Sequence, residues 1–141
     1  MSGFLLDTNC VSELARDNPE PRVADWMRVT DESLLHLSVI TMGEIRKGAA
    51  WLPPSKRRTQ LETWLELDLP LRFSGRILPI DEVIADRWGW LSAAARRSGR
   101  VLPVIDGLIA ATALQYNLTV VSRNVGDFAS AQVSVLNPWL L

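Results

Sequence analysis

The sequence predicts an α/β fold, a three-layer α/β/α sandwich built around a mainly parallel central sheet. Short runs rich in apolar and β-branched residues alternate with longer amphipathic segments along the whole chain, which is typical of strands connected by helices. The chain has 141 residues, of which 48% are hydrophobic and 22% charged, a composition suited to one buried core. No internal repeat or low-complexity linker divides it. We therefore expect residues 1–141 to form a single domain.

Strands and helices alternate through the first half of the chain. An apolar run that ends at Asp7 predicts the first strand, and Val11 and Leu14 give the next segment one apolar helical face. Pro19 and Pro21 then interrupt the helical pattern. The predicted elements of this half are a strand at 3–6, helices at 9–16 and 23–29, a strand at 35–40 and a helix at 41–51.

The second half continues the same alternation. Leu61, Trp64 and Leu65 recur at helical spacing after a charged start, and Gly99 ends a long helical pattern. Short apolar runs supply the remaining strands. The predicted elements are a helix at 56–67, a strand at 76–80, helices at 82–97 and 103–115, and strands at 118–122 and 133–136.

Composition excludes several classes of protein. A single Cys10 cannot form an intramolecular disulfide, and with His36 it cannot supply the ligands of a zinc site. The first residues lack the pattern of a signal peptide, and no apolar run approaches the length of a membrane span. We therefore expect a cytoplasmic protein with no membrane partner. A net charge of −1 also argues against a protein that coats nucleic acid by charge alone.

Acidic residues fall where the predicted strands end. Asp7 directly follows the first strand, Glu44 lies just after the second, and Asp127 lies in the loop after the strand at 118–122. Asp106, near the start of a helix, can face the same edge. Because ligands bind at the carboxyl ends of parallel strands, we expect these carboxylates to converge. Converging carboxylates repel one another unless cations neutralise them, and an oxygen-only set suits Mg²⁺ or Mn²⁺.

Each acid also has a purely structural interpretation. Thr41 and Glu44 match the spacing of a helix capping box, so Glu44 could hold the start of its own helix. Asp106 could stabilise a helix dipole, and Asp81 is most simply an N-cap. Asp7 is either a cap or a site residue. The joint placement of the acids favours a site over four separate structural roles.

Four segments of the chain, taken in order, resemble the motifs of the PIN-domain ribonucleases. The resemblance is greatest to the VapC toxins of bacterial toxin–antitoxin pairs, in their FitB-like branch, and it covers essentially the whole chain. One such segment would be weak support, whereas four at compatible spacing are specific. The segments are LLDTN at 5–9, SVITMGEI at 38–45, DGLIAATA at 106–113 and SRNVGDF at 122–128.

The resemblance implies a site for metal-dependent hydrolysis of RNA. It assigns Asp7, Glu44 and Asp106 as the acids that hold Mg²⁺ or Mn²⁺. The fourth position stays open, because many relatives carry an Asp where this chain has Asn124, so either Asp127 supplies the catalytic charge or Asn124 acts as a neutral ligand. Polar positions that border the metal in the family are matched by Thr8, Asn9 and Ser122. The implied products carry a 5′-phosphate and a 3′-hydroxyl.

The resemblance also implies partners. Relatives are usually homodimers, held inactive by a VapB-like antitoxin whose C-terminal segment lies in a groove and reaches the acids. Candidate residues for this groove are Trp26, Trp51 and Leu52, although core packing is also open to each. Trp88 and Trp90 cannot both face the same side of a helix, so one of them should lie near a covered surface. The RNA would be held by basic residues, for which the candidates are Arg46, Lys47 and Arg123.

Two other functions compete with an endoribonuclease. The chain could act chiefly as a dimerising partner of a DNA-binding antitoxin, contacting DNA only through that antitoxin. It could also be a phospho-receiver domain, which gathers acids around Mg²⁺ as well. The receiver interpretation is weakened because no lysine follows the strand at 118–122.

Overall fold

A computed structural model describes residues 2–141. Its centre is one five-stranded sheet in the order β3-β2-β1-β4-β5, and every neighbouring pair is parallel. β1 is the central strand, with Leu5 opposite His36 of β2 on one side and Val120 of β4 on the other. The strands are β1 (Phe4–Leu6), β2 (Leu35–Ser38), β3 (Ile77–Leu78), β4 (Thr119–Val121) and β5 (Val135–Leu136).

Helices cover both faces of this sheet. One face is covered by the helices of the first half of the chain, and the other by the helices that connect β3 to β4. The helices are α1 (Thr8–Leu14), α2 (Pro21–Val29), α3 (Val39–Trp51), α4 (Lys56–Thr63), α5 (Leu69–Arg72), α6 (Glu82–Arg97) and α7 (Val104–Gln115). Short 3₁₀ turns occur at Glu32–Leu34, Val125–Ala131 and Pro138–Leu140.

The core consists of two hydrophobic clusters, one on each face of the sheet. Leu6 packs into the cluster formed with Val11, Val23 and Phe73, whereas its neighbour Leu5 packs into the cluster formed with Ile109. Successive side chains of a strand point to opposite faces, so β1 contributes to both clusters. The predicted three-layer α/β/α sandwich is confirmed. Within residues 2–141, no helix is both long enough and apolar enough to cross a bilayer.

The strand order argues against the receiver alternative. A receiver domain has the order 2-1-3-4-5, whereas the order here is 3-2-1-4-5, with the reversal between β1 and β4. A crevice forms beyond the carboxyl ends of the strands at such a reversal. Asp7, which follows β1, and Ser122, which follows β4, lie at that point.

The boundary between β2 and α3 corrects one prediction. The strand predicted at 35–40 ends at Ser38, and the helix begins at Val39, because the Ser38 side chain accepts a hydrogen bond from the backbone N–H of Ile40. Thr41 therefore lies inside the helix, buried, and the capping-box interpretation of Thr41 and Glu44 is wrong. Asp81, by contrast, is confirmed as an N-cap, since it accepts from the N–H of Ile84.

The helix predicted at 56–67 is longer and less regular than expected. α4 continues through a π-helical turn at Trp64–Asp68 directly into α5. Trp64 packs partly buried against the first cluster, as predicted for a core residue. Trp88 and Trp90 do face different ways: Trp90 is 68% exposed, while Trp88 packs so closely on α7 that a Cβ at Gly107 would lie 2.8 Å from its ring.

Candidate active site

Asp7 is the most enclosed acid of the site. It follows β1 and caps α1, because its Oδ1 accepts the backbone N–H of Thr8 at 2.8 Å. Its Oδ2 accepts the hydroxyl of Ser122 at 2.8 Å and lies 3.4 Å from the amide nitrogen of Asn9. Burial raises the pKa of Asp7; the hydrogen bonds from Ser122 and Thr8 offset part of this rise, and the charges of Glu44 and Asp127 add to it. Asp7 is thus both a helix cap and one of the four acids Asp7, Glu44, Asp106 and Asp127, which we call the acid cluster.

Glu44 reaches the site from the second turn of α3. It is half-buried, and its Oε1 accepts a short hydrogen bond from the hydroxyl of Thr8. The Thr8 hydroxyl also lies 3.4 Å from that of the buried Thr41. Thr8 therefore joins the Asp7 end of β1 to the Glu44 carboxylate, which has no role in capping its own helix.

Asp106 reaches the site from the other face of the sheet, in the first turn of α7. Its pKa is raised to about 6, first by burial and then by repulsion from Asp7, Asp127 and Glu44. A carboxylate whose pKa is shifted by three other acids shares one electrostatic environment with them. That Asp7, Glu44, Asp106 and Asp127 act together as one site stays a prediction.

Asp127 and Asn124 occupy the loop after β4, and both are exposed. Asp127 lies in the first turn of the 3₁₀ segment, and its charge raises the pKa values of both Asp7 and Asp106. Asn124 contributes through its backbone, since its N–H donates to the Ser122 hydroxyl at 3.0 Å. Asp127 thus places a negative charge near Asp7 and Asp106, and the assignment of the fourth site position to Asp127 or Asn124 stays a prediction.

Ser122 and Asn9 connect the elements that carry the acids. The buried Ser122 hydroxyl donates to Asp7 and accepts from Asn124, and it lies 3.2 Å from the Asn9 amide nitrogen. The Asn9 amide oxygen accepts the backbone N–H of Arg123 at 3.3 Å. Ser122 thus fixes the ends of β1 and β4 to each other as well as orienting Asp7.

The donor set suits a hard divalent cation. It consists of carboxylate, hydroxyl and amide oxygens, with no imidazole, and the Cys10 thiol is no candidate because burial raises its pKa to about 12. None of the four acids forms an ion pair within residues 2–141. In the same residues no three acids, histidines or cysteines form a ready-made metal cluster. Mg²⁺ uses only one or two carboxylates together with water, so the chemistry fits.

The three basic residues predicted to contact RNA have different surroundings in the structure. Arg46 pairs with Glu66 at 2.7 Å and with Glu62 at 3.3 Å, so its charge is already used within the fold. Lys47 is exposed on α3. Arg123 lies beside Asn9, with its guanidinium 4.9 Å from the centroid of the Trp139 ring. The sequence marks Arg123 as a candidate for RNA contact but gives no signal for its contact with Trp139, because nothing in the local pattern links the two positions.

An apolar groove of about 550 Å³ begins at the acids and runs between α1, α3 and α4. Glu44 and Asn9 line its acidic end, and Leu52 lies in its wall as predicted. Trp51 and Trp26 are not among its lining residues. Trp51 is 88% exposed, and Trp26 packs edge-on against the ring of Phe4 at 5.1 Å.

A parallel sheet with a four-acid edge at its reversal point defines a class of nuclease-like domain, and residues 4–132 match the PIN domain family. The chain belongs to this family.

Within it, the relatives are toxins of toxin–antitoxin pairs. The chain is 42% identical over 136 residues to Toxin FitB of Neisseria gonorrhoeae (strain ATCC 700825 / FA 1090), covering 96% of this chain and 98% of that protein. It is 38% identical to VapC ribonuclease Y4jK of Sinorhizobium fredii (strain NBRC 101917 / NGR234), with 96% and 97% covered. The structure of FitAB bound to an IR36 DNA fragment superposes with a TM-score of 0.91, at 40% identity, over 98% of this chain and 96% of that one. The chain is therefore a PIN-domain toxin of the VapC/FitB type.

Proposed function

We propose that this toxin is an endoribonuclease that hydrolyses RNA phosphodiester bonds with Mg²⁺, or Mn²⁺ in its place. The observation that carries the proposal is the placement of Asp7, Glu44, Asp106 and Asp127 beyond the carboxyl ends of the strands, with no ion pair to any of them within residues 2–141. Burial and the charges of neighbouring acids raise the pKa values of Asp7 and Asp106, and residues with such shifts are often kept for chemistry. A ribonuclease among the relatives supports RNA as the substrate. We propose that the protein acts in the cytoplasm.

The acids divide into cation-holding and auxiliary groups. Asp7, Glu44 and Asp106 would hold the cation, directly or through water, and when bound it would lower the pKa of an attacking water and neutralise charge on the leaving oxygen. Thr8 holds the Glu44 carboxylate in place, and Ser122 does the same for Asp7. Asp127 adds negative charge from the exposed side of the site. The proposed products carry a 5′-phosphate and a 3′-hydroxyl.

The decisive experiment uses purified, antitoxin-free protein and structured RNAs in Mg²⁺ or Mn²⁺. The wild-type chain should cleave, and Asp7→Ala, Asp106→Ala or EDTA should abolish cleavage. Glu32→Gln, an acid at the opposite edge of the sheet, serves as the matched control and should cleave normally. Cleavage that survives in EDTA or in both alanine variants would contradict the carboxylate–cation mechanism.

The fourth position can be tested separately by calorimetric titration with Mn²⁺. Asp127→Asn should weaken Mn²⁺ binding if the Asp127 charge contributes, whereas Asn124→Ala should leave it nearly unchanged because Asn124 contacts the site through its backbone. Unchanged affinity in Asp127→Asn, with loss in Asn124→Ala, would make Asn124 the fourth site residue.

We also propose that a VapB-like antitoxin inhibits the protein by laying a C-terminal segment along the apolar groove. The groove joins an apolar wall to the acid cluster, so an amphipathic segment carrying an arginine would pair its cation with the acids. Ala49→Glu, a buried position in the groove wall, should abolish inhibition and complex formation. Ala93→Glu, on exposed α6, should leave both intact.

We also propose a regulatory role for the complex of this chain with its antitoxin, which would bind DNA. The FitAB–DNA structure supports DNA binding by a toxin–antitoxin complex, and we propose that this chain contacts DNA only through its antitoxin, as a homodimer. Mobility-shift assays should show operator binding by the complex and none by the toxin alone. Light scattering of the purified toxin tests the dimer. If the complex binds the operator and the free toxin cleaves no RNA, the regulatory function is favoured over the enzymatic one.

A further inference from the structure

A second recess lies against Arg123, the residue that follows Ser122, and has no part in the mechanism above. It measures about 440 Å³ and lies between the α1–α2 turn and the loop after β4. Pro19 and Pro21 stiffen one wall, because each ring fixes its own backbone φ. Glu13 anchors the same wall, since its buried carboxylate accepts the backbone N–H of Glu20 at 3.0 Å. The recess is thus a preformed feature of the fold.

Arg123 forms one side of this recess. Its guanidinium lies 4.9 Å from the centroid of the Trp139 ring, and Trp139 is only 7% exposed. The Trp139 backbone N–H in turn donates to Asn137. The guanidinium lies over a ring that is fixed in the fold, and Arg123 is exposed, so its side chain can also contact a ligand.

Arg123 is also linked directly to the acids. Its backbone N–H donates to Asn9, whose amide lies 3.4 Å from Asp7, and its neighbour Ser122 donates to Asp7. A nucleotide chain with a phosphate at the acids would therefore place an adjacent nucleotide within reach of Arg123. Through Arg123 the recess is linked to the end of β1 that carries Asp7, and it shares Glu13 and Arg16 with the lining of the apolar groove.

The charges of the recess select against a bare anion. Its lining includes the acids Glu13, Asp17 and Glu20 and the bases Arg16 and Arg123. The charge of Arg16 is partly used, because it lies 3.3 Å from Glu13. Glu20 likewise pairs with Arg22 at 2.8 Å, which leaves Asp17 as the lining acid without an ion pair within residues 2–141. A cation for stacking beside a carboxylate that can accept N–H groups suits a nucleobase better than a free phosphate.

We propose that this recess binds one unpaired nucleotide of the RNA next to the scissile phosphate, with its base stacked on the Arg123 guanidinium. This inference rests on the proposed ribonuclease function and adds a subsite to it. Arg123 acts here as a substrate-binding residue that reads the presence of a base, in addition to contacting the backbone. Cleavage should therefore favour single-stranded or looped RNA over a duplex.

The test is a double-mutant cycle between the protein and the RNA. A short fluorescein-labelled single-stranded RNA is made in versions that each lack one base, and binding is measured by anisotropy in an Asp106→Asn background that prevents cleavage. One abasic position should weaken binding by about tenfold, the cost of losing one stacked base. In Arg123→Lys, which keeps the charge but not the flat stack, the same abasic position should cost less than about twofold.

The matched control is Arg72→Lys. Arg72 also packs over an aromatic ring, that of Phe73 at 5.3 Å, but at the opposite edge of the sheet. The Arg72→Lys variant should show the same tenfold loss of binding at the abasic position as its parent. An abasic penalty that is equal in Arg123→Lys and in its parent would overturn the subsite, as would the same loss of penalty in Arg72→Lys.

The subsite and the ribonuclease function can fail independently. A coupled abasic penalty, combined with no RNA cleavage by the protein with intact acids, would retain the subsite and contradict the hydrolase. Cleavage by that protein without any coupling would retain the hydrolase and overturn the subsite. In cleavage kinetics, Arg123→Lys should raise KM and leave kcat nearly unchanged, whereas a merely structural role would lower the melting temperature instead.

Discussion

Acidic residues at the amino ends of the strands (the amino edge of the sheet) and at their carboxyl ends (the carboxyl edge) have opposite electrostatic environments. At the amino edge, Glu32 precedes β2 and pairs with Arg72 at 3.0 Å and with Arg76 at 3.1 Å. Burial works against its charge, but the hydrogen bonds from the two arginines prevail and lower the pKa of Glu32. At the carboxyl edge, Asp7 and Asp106 have raised pKa values and no ion pair within residues 2–141.

The contrast separates an acid that the fold pairs with two arginines from acids without an ion pair within residues 2–141, and we propose that the latter serve chemistry. Arg72 and Arg76 supply the charge that Glu32 needs, so that cluster is complete within the chain. The acids at the carboxyl edge instead receive hydroxyl and amide donors, such as Ser122, which orient a carboxylate without neutralising it. An oriented, uncompensated acid cluster attracts a cation from outside the protein.

Among the variants that test this contrast, Ser122→Ala should have the largest effect, a loss of RNA cleavage. The substitution removes the donor to Asp7 and leaves the backbone N–H of Asn124 without its acceptor. Residues that orient metal-holding carboxylates typically contribute about 10–100-fold, so kcat for RNA cleavage should fall within this range. The measurement is single-turnover cleavage in saturating Mg²⁺.

Ser92→Ala provides a matched control for Ser122→Ala. The Ser92 hydroxyl is buried without a hydrogen-bond partner, so its removal should leave cleavage unchanged and the protein equally or more stable. If Ser122→Ala cleaves as well as Ser92→Ala does, then Ser122 has no orienting role at Asp7.

A somewhat smaller loss should follow from Thr8→Val. Valine has nearly the shape of threonine but cannot donate to Glu44, so the carboxylate becomes free to rotate. We expect about a tenfold loss of kcat, at the lower end of the effects of such orienting residues. Thr8→Ser keeps the hydroxyl and should retain most of the activity; equal losses in both variants would point to packing at Thr8 as the cause.

Much of this contrast could be predicted from the sequence. The sheet, the helices and the positions of Asp7, Glu44 and Asp106 follow from patterns that are local in the chain. The pairing of Thr8 with Glu44 and of Arg123 with Trp139 depends on how distant segments meet, and local patterns carry no signal for it. The error at Thr41 has a different, local origin: Ser38, three residues earlier, caps the helix in place of Thr41 and ends the strand two residues early.

Asp106→Asn should reveal the cost of the acid cluster in protein freed of metal by EDTA. The pKa of Asp106 rises from 3.8 to about 6 on folding, so the folded state holds more protons than the unfolded state between these values. Stability should therefore fall as the pH rises through this interval, and then level off. Since Asp106 is only half-buried, solvent screening limits the effect to about 1 kcal/mol. Denaturation at several pH values should show a flatter profile in Asp106→Asn, and an unchanged profile would exclude repulsion at this residue.

Glu32→Gln should have the smallest effect and the opposite pH dependence. The folded pKa of Glu32 lies below its ordinary value of 4.5, so its contribution is present above that pH and is lost as the pH falls through the lower folded value. Because the ion pairs are largely exposed, the loss of stability in Glu32→Gln at neutral pH should be at most about 1 kcal/mol, and it should shrink in high salt. Urea denaturation of both variants at neutral and acidic pH makes the comparison direct. An acid that stabilises the fold and an acid kept for chemistry should differ in the sign of this pH dependence, and two profiles of the same sign would remove the distinction between the edges.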